Sequence, residues 1–370
     1  MQYTEYELGE LLPFEQPTAY IVKSTDYSDA YATPVLTAGK SFILGKTNET
    51  DGIFDQLPVI IFDDFTTATQ FVNFKVKSSA MKILHINTDL VIPKYIFYRL
   101  QIIQFDHSTH KRYWIQSYSK IKVLIPPLDE QLRIVARIEE LFSELDKAVD
   151  TLKTTKEQLA VYRQAVLVDA FRVATNSTHL KIGYVCAKIV DCPHSTPKWE
   201  KNGKLCLRTT NFKRGYLDLQ SPNYVSEETF NDRNRRIIPQ PGDVLYSREG
   251  SVLGIACTIP SNVYPCLGQR MMLLRSGEKL NNRYLMHYLN SPMVTNHVIA
   301  TKGGTGSPHI NVGDIKEFQI PIPSLEEQSN IVRQIEEQLS NCDNVEKTVD
   351  AILTQADAMR QSILKQAFEE

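Results

Sequence analysis

Ile125–Glu140 reads IPPLDEQLRIVARIEE, and Ile322–Glu337 reads IPSLEEQSNIVRQIEE. The two stretches align without a gap at an offset of about 197 residues. The register persists to the far end, where Arg163-Gln164-Ala165-Val166-Leu167 faces Arg360-Gln361-Ser362-Ile363-Leu364 and Ala170-Phe171 faces Ala367-Phe368. Apolar positions of the first copy step by four and three through Ile134, Ile138, Leu141, Leu145, Ala148, Leu152, Thr155, Leu159, Tyr162 and Val166, a heptad seam. The second copy keeps the seam as Ile331, Ile335, Gln338, Cys342, Val345, Val349, Ile352, Ala356, Met359 and Ile363. No Pro or Gly interrupts either run, so each predicts about 40 residues of continuous helix, roughly 60 Å long. Thr155 and Gln338 are polar seam positions suited to setting register. Ser324 with Glu327 makes a capping box at the start of the second helix; Pro127 takes the place of Ser324 in the first, leaving Asp129 as the first-turn charge.

Two dissimilar segments, residues 1–127 and 173–323, flank the helices assigned to 128–172 and 324–370. Short connections and two matched apolar seams predict an antiparallel coiled-coil pair with an internal pseudo-two-fold repeat. The flanking segments lack helical periodicity and are broken by turns such as Asp51-Gly52, Asn202-Gly203, Pro241-Gly242 and Gly303-Gly304. Pro58–Phe62 (PVIIF) and Gly242–Ser247 (GDVLYS) read as buried strands, and Ile92–Gln104 and Asn282–Leu289 as short helices. Each segment ends in a strand-like run, Ile121–Ile125 or Phe318–Ile322, that leads into its helix. The fold class is therefore α/β: two mixed, β-rich heads separated by two long antiparallel helices.

A chain of 370 residues accommodates two globular domains plus such helices. Its ordinary apolar and charged fractions argue against disorder, and no apolar run reaches the roughly 18 residues a membrane span needs. The acidic N-terminus has no apolar signal core, so a cytoplasmic protein without membrane partners is expected. Six cysteines without a C-x-x-C pair read as reduced structural thiols. The net charge of −2 conceals an uneven distribution. Residues up to Leu124 carry roughly −1, the first helix about −2, the stretch Val173–Ile320 roughly +7 and the closing helix about −6. The basic segment is the candidate nucleic-acid surface.

Catalytic motifs fail one by one. In TAGKSFILGKT the phosphate-loop spacing is wrong, because Lys40 stands where a glycine is needed. Asp63-Asp64, or Asp243 with Glu249, lack a lysine at nuclease spacing and read as strand-end acids, so no metal is expected. His107 and His110 stand beside Lys111-Arg112 and read as a polar loop instead of a zinc site. There is no nucleophile elbow, dinucleotide fingerprint or N-P-P-[FY] methyltransferase motif.

What remains is polar and basic side chains on turns. The second head offers Thr209, Thr210, Asn211, Lys213, Arg214, Arg233, Arg235, Arg236, Arg248, Arg270, Lys302 and Thr305. The first offers Lys40, Lys46, Thr47, Asn48, Thr67, Thr69, Lys75, Lys111 and Arg112. Arg and Lys neutralise phosphates, and Arg, Asn and Gln also reach base edges bidentately. For the helix pair and partner docking, the candidates are Ile134, Ile138, Leu141, Leu145, Leu152, Ile331, Ile335, Val349, Ile352 and Ile363.

The helix openings IPPLDEQ and IPSLEEQ, the closing RQA/RQS…AF, and the head elements DCPHSTP, GDVLYSREG and GKSFILGKTNETDGIF resemble the specificity subunit of type I restriction–modification systems over essentially the whole chain. The resemblance implies that each head is a target recognition domain reading one half of a split, asymmetric DNA site. It implies helices that separate the halves and dock two DNA-methyltransferase subunits, which motor-endonuclease subunits join. The subunit itself is then non-catalytic and without cofactor, S-adenosylmethionine belonging to the methyltransferase. Deleting one heptad from both helices should shorten the unread gap. Two alternatives stand beside this reading: a type IIB-like enzyme with its nuclease in the partner, and a coiled-coil scaffold whose heads bind proteins. Steep salt dependence would mark the DNA binder.

Overall fold

A computed structural model describes residues 3–37, 42–78, 81–106, 112–174, 177–301 and 308–369. The chain forms two compact units, Met1–Leu152 together with Asp350–Glu370, and Lys153–Val349. The long helices run Leu128–Val173 and Leu325–Glu369, and each unit contains a head and a length of both.

The heads share one strand plan despite their dissimilar sequences. In the first unit a four-stranded antiparallel sheet has the order Phe14–Glu15, Lys82–His85, Val59–Phe62, Thr69–Val72. In the second the order is Cys186–Asp191, Met271–Ser276, Val244–Ser247, Ala256–Thr258. A second sheet, three-stranded in the first head and four-stranded in the second, contains one parallel pairing in each: Thr33–Leu36 with Lys77–Ser78, and Lys204–Leu207 with Cys266–Leu267. The strand that opens each head pairs antiparallel with the strand that closes it, Thr4–Glu7 with Lys122–Ile125 and His179–Lys181 with Gln319–Pro321. The closing strand then runs into the long helix.

The central strands are buried on both faces, and their period of two feeds two cores. Ile60 and Phe62 join the core that includes the long helices, while Val59 and Ile61 join one internal to the head. Val244 and Tyr246 divide from Leu245 in the same way. In the first unit Ile134, Val135 and Ile138 of the first long helix meet Leu364 of the second, together with Tyr95, Ile96 and Leu100 of the short helix Pro93–Leu100. In the second unit Ile331, Val332 and Ile335 meet Val166, Leu167 and Phe171, together with Tyr284, Leu285 and Leu289 of helix Asn282–Asn290. The start of one long helix thus lies along the end of the other in each unit, the antiparallel pairing expected. Each such aliphatic or aromatic side chain contributes roughly 1.5–3 kcal/mol on burial.

A polar staple repeats as well. Gln131 and Gln328 are both 0% exposed. Gln131 donates to the carbonyls of Leu90 and Pro126 at 3.1 and 2.9 Å and accepts from the Ile92 amide at 2.7 Å. Gln328 donates to Lys279 and Pro323, both at 2.9 Å, and accepts from the Asn281 amide at 2.8 Å. The side-chain amide thereby fixes the first turn of each long helix to the loop that starts the head's short helix. The capping box forms as the spacing predicts, with Glu327 accepting from the Ser324 amide at 2.9 Å and Ser324 Oγ accepting from the Glu327 amide at 3.2 Å.

Alternate seam positions differ from the sequence reading. Cys342, Val349 and Ala356 are buried as expected, and so are Ile134, Ile138, Leu145, Ile331 and Ile335, while Leu141, Leu152 and Ile363 are half-buried. Val345, Ile352 and Met359, however, are 44, 42 and 49% exposed, and Tyr162 is 50% exposed. Ala148 and Gln338 are exposed too. The half-buried places fall one residue later, at Val149, Arg163, Leu339, Glu346, Leu353 and Arg360. Steps of four and three are kept, but in the opposite order. Long charged side chains lie along the seam by their stems and pair across it. Arg163 reaches Asp343 at 2.5 Å and Glu346 at 2.8 Å, and Arg360 pairs with Asp146.

Candidate nucleic-acid interface

The parallel strands Lys204–Leu207 and Cys266–Leu267 end side by side, and the residues that follow them form two walls of a groove. One wall is Arg208 and the single turn Thr209–Asn211; the other is Gly268-Gln269-Arg270. The loop before strand Trp199–Glu200 supplies a third. The enclosed volume is about 170 Å³, lined by Thr196, Trp199, Arg208, Thr209, Thr210, Gln269 and Arg270 among others. Gly268 is required where the walls meet, because a Cβ there would lie 2.2 Å from the Leu207 carbonyl oxygen.

Each wall is held from within. The Asn211 side chain accepts from the Arg208 amide at 2.8 Å and donates to the Asp218 carbonyl at 3.0 Å, which keeps Thr209 and Thr210 at the rim. Thr196 Oγ1 donates to Gln269 Oε1 at 3.0 Å, and the Arg208 guanidinium lies 5.4 Å over the Trp199 ring. Arg270, in the left-handed region at φ 71°, is 3.6 Å from Glu249. Hydroxyl, amide and guanidinium groups therefore converge on one concave surface, the chemistry that contacts phosphates and base edges.

Two arginines expected at the surface instead brace it from behind. Arg233 is 6% exposed and donates to the carbonyls of Leu267 at 2.9 Å, Gly268 at 3.1 Å and Ser195. Arg248 is 7% exposed and grips both carboxylate oxygens of Asp191 at 2.8 and 3.0 Å. The motif DCPHSTP is thus fixed at Asp191 by Arg248, at Ser195 by Arg233 and at Thr196 by Gln269. Asn211, at 6% exposure, is likewise an interior tie. Lys213, Arg235 and Arg236 are exposed, Arg235 forming a surface pair with Asp232 at 3.1 Å. Arg214 is exposed as well, one guanidinium nitrogen donating to the Asn290 carbonyl at 3.1 Å.

The first head gathers its candidates less tightly. Thr47 and Thr69 are buried, Thr69 accepting from the Gln101 side chain, so neither is the surface contact expected. Asn48, Lys75 and Arg112 are exposed, and Lys46 and Thr67 half-buried. Lys75 is 3.6 Å from Asp55. Lys77, a further basic residue of this stretch, is interior and binds Glu49 at 2.8 Å and the Asp51 carbonyl at 2.7 Å. Its hydrogen bond holds the Glu49 carboxyl below the usual range. The acids weighed for metal have protein partners: Asp64 binds Lys82 at 2.9 Å, and Asp243 binds Arg275 at 2.7 Å. Lys40, His107, His110, Lys111, Lys302, Thr305 and the Gly303-Gly304 turn lie outside the described residues. Sequence reading did not select Thr196 or Trp199; their place in the DCPHSTP stretch and just beyond it was the available signal.

A family model for the type I restriction modification DNA specificity domain matches residues 188–355. The specificity subunit of the type I restriction enzyme EcoR124I/EcoR124II of Escherichia coli is 33% identical over 339 residues, 88% of this chain and 84% of that one. A solved structure described under complex assembly and conformational transition of the type I R-M system aligns with a TM-score of 0.69 at 20% identity, over 99% of this chain and 97% of that one. The HsdS subunit from Thermoanaerobacter tengcongensis aligns with a TM-score of 0.58 at 19% identity, over 99% and 96%. The solved structures share the fold of two heads and two long helices, and the 33% identity extends along most of both chains. On these grounds the protein belongs to the specificity subunits of type I restriction enzymes.

Proposed function

We propose that this chain is the non-catalytic DNA-reading subunit of its restriction–modification complex, each head binding one half of a split, asymmetric duplex site. The observation that carries the proposal is one strand plan on one head–helix junction, with different side chains on the outward turns. Frames alike at the main sheet and the helix junction, with unlike reading surfaces, suit two unlike half-sites, and the length of the long helices sets the number of base pairs left unread. The groove of Arg208, Thr209, Thr210, Gln269 and Arg270 is the reading surface of the second head. Apolar residues left open on the long helices support docking of two methyltransferase subunits: Val161 at 71% and Tyr162 at 50%, and Ile352 at 42% and Met359 at 49%. S-adenosylmethionine then belongs to those subunits, and motor-endonuclease subunits complete the assembly.

The test is selection from a random duplex library at near-physiological salt, with and without the co-expressed methyltransferase subunit. Two short fixed tracts around an unread gap are expected. A folded complex that enriches nothing would sink the proposal.

A further inference from the structure

The internal repeat gives one residue of the first head a counterpart at the second head's groove. Ile60 and Phe62 match Val244 and Tyr246, each pair facing the core shared with the long helices. Two residues beyond Phe62 the Asp64 carbonyl accepts from the Tyr113 amide at 3.1 Å; two beyond Tyr246 the Arg248 carbonyl accepts from the Ile310 amide at 3.0 Å. The next residue is Phe65 in one head and Glu249 in the other. Glu249 lies at the groove, 3.6 Å from Arg270, and the loop it opens contributes Ser251 and Val252 to the lining. Phe65 therefore stands where the second head places a groove side chain.

Phe65 is 63% exposed. A single exposed aromatic is ordinary on a protein surface; its place and its rigid mounting set this one apart. The Asp63 side chain accepts from the Phe65 amide at 3.1 Å and from the Thr66 hydroxyl at 2.6 Å, and the Asp63 carbonyl accepts from the Thr67 amide at 2.9 Å. Asp64 anchors the turn to the interior, accepting from the Trp114 amide at 3.0 Å and pairing with Lys82 at 2.9 Å. The bonds to Tyr113 and Trp114 also bring the short helix Tyr113–Gln116 alongside, and with it the exposed Arg112 and Ile115, which bracket that pair in sequence. A ring already held in place loses little conformational freedom when a partner covers it.

We propose that Phe65 is a base-reading residue of the first head, its ring packing against a thymine methyl in the major groove, with Arg112 on an adjoining phosphate. This rests on the DNA-reading role proposed above. Thymine is the base that presents an apolar group at its major-groove edge, and phenylalanine is among the side chains that meet it. Arginine beside the ring neutralises the backbone and fixes the approach without carrying sequence information. The two heads then read by different chemistry, polar in the second and apolar in the first.

The test starts from the duplex enriched by the full-length protein with the co-expressed methyltransferase subunit. Each thymine of its two tracts is replaced in turn by deoxyuridine, which lacks only the methyl, and affinity is measured for the wild type, F65A and T210A. One replacement is expected to weaken the wild type about fourfold, the worth of one buried methyl. The same replacement should cost F65A nothing, because the ring that met the methyl is gone, and should cost T210A as much as the wild type. Tracts without thymine, or penalties that are the same in F65A as in the wild type, would overturn the proposal and leave the DNA-reading role standing. A library enriched for nothing would remove that role and this residue's part in it together.

Discussion

The head–helix junction and the outward turns of the same heads obey different rules. At the junction the two units repeat several of their contacts. Gln131 answers Gln328, the Phe368–Tyr95 ring pair at 5.3 Å answers Phe171–Tyr284 at 5.1 Å, and Lys94–Glu139 answers Arg283–Glu336. On the turns almost nothing repeats: the second head builds a groove from Arg208 to Thr210 and Gln269-Arg270, whereas the first scatters Asn48, Lys75 and Arg112. A frame that must present any reading surface at the same place tolerates little change, and a surface that must distinguish half-sites cannot be shared.

The comparison breaks most visibly at Arg233. Replacing it with alanine leaves buried carbonyls without donors and should cost about 3 kcal/mol in chemical denaturation, against under about 0.5 kcal/mol for R235A on the exposed side of the same turn. Equal effects would mean that interior and surface arginines do not divide as described. Next come Q131A and Q328A, each expected to lose about 2–3 kcal/mol through an orphaned amide and two carbonyls. A markedly unequal pair would show that the two junctions are not energetically equivalent. In DNA selection T210A and R270A should relax the preference at one half-site by about 1–3 kcal/mol and leave the other half intact. Loss at both halves would contradict separate reading heads.

The smallest expected effect is on pH dependence. The hydrogen bond from His287, helped by the Arg283 charge and opposed by burial, holds Glu336 below its ordinary 4.5. A depressed folded value stabilises above the unfolded value and loses that contribution as pH falls through the folded one. Acid titration below about pH 4.5 should therefore be shallower in E336Q. An unaltered acid limb would remove that ion pair from the junction's stability.

The helical repeat made the long helices, their antiparallel sense and most of the shared core legible, because apolar spacing records burial directly. It misplaced Val345, Ile352, Met359 and Tyr162 because a heptad admits steps of three then four or four then three. The winning order put Arg163, Glu346 and Arg360 along the seam, where apolar spacing gives no hint of them. Charged residues in the heads were hardest to place. Arg233 and Arg248 read like solvated cations, and only their partners, the Leu267 and Gly268 carbonyls and the Asp191 carboxylate, reveal them as braces. Those partners are distant in sequence, so no local pattern announces them. Gln131 and Gln328 were visible as repeated letters, but their bonds depend on loops that share no motif.

The second unit is one uninterrupted stretch, Lys153–Val349, whereas the first also draws on Asp350–Glu370. Leu364 sits inside the first head's core, with Ala367 and Phe368 packed against it. On the ribosome the head made first is therefore the head finished last. Its apolar floor waits through synthesis of the whole second unit, a long window in which chaperones, or a misplaced length of helix, compete for it.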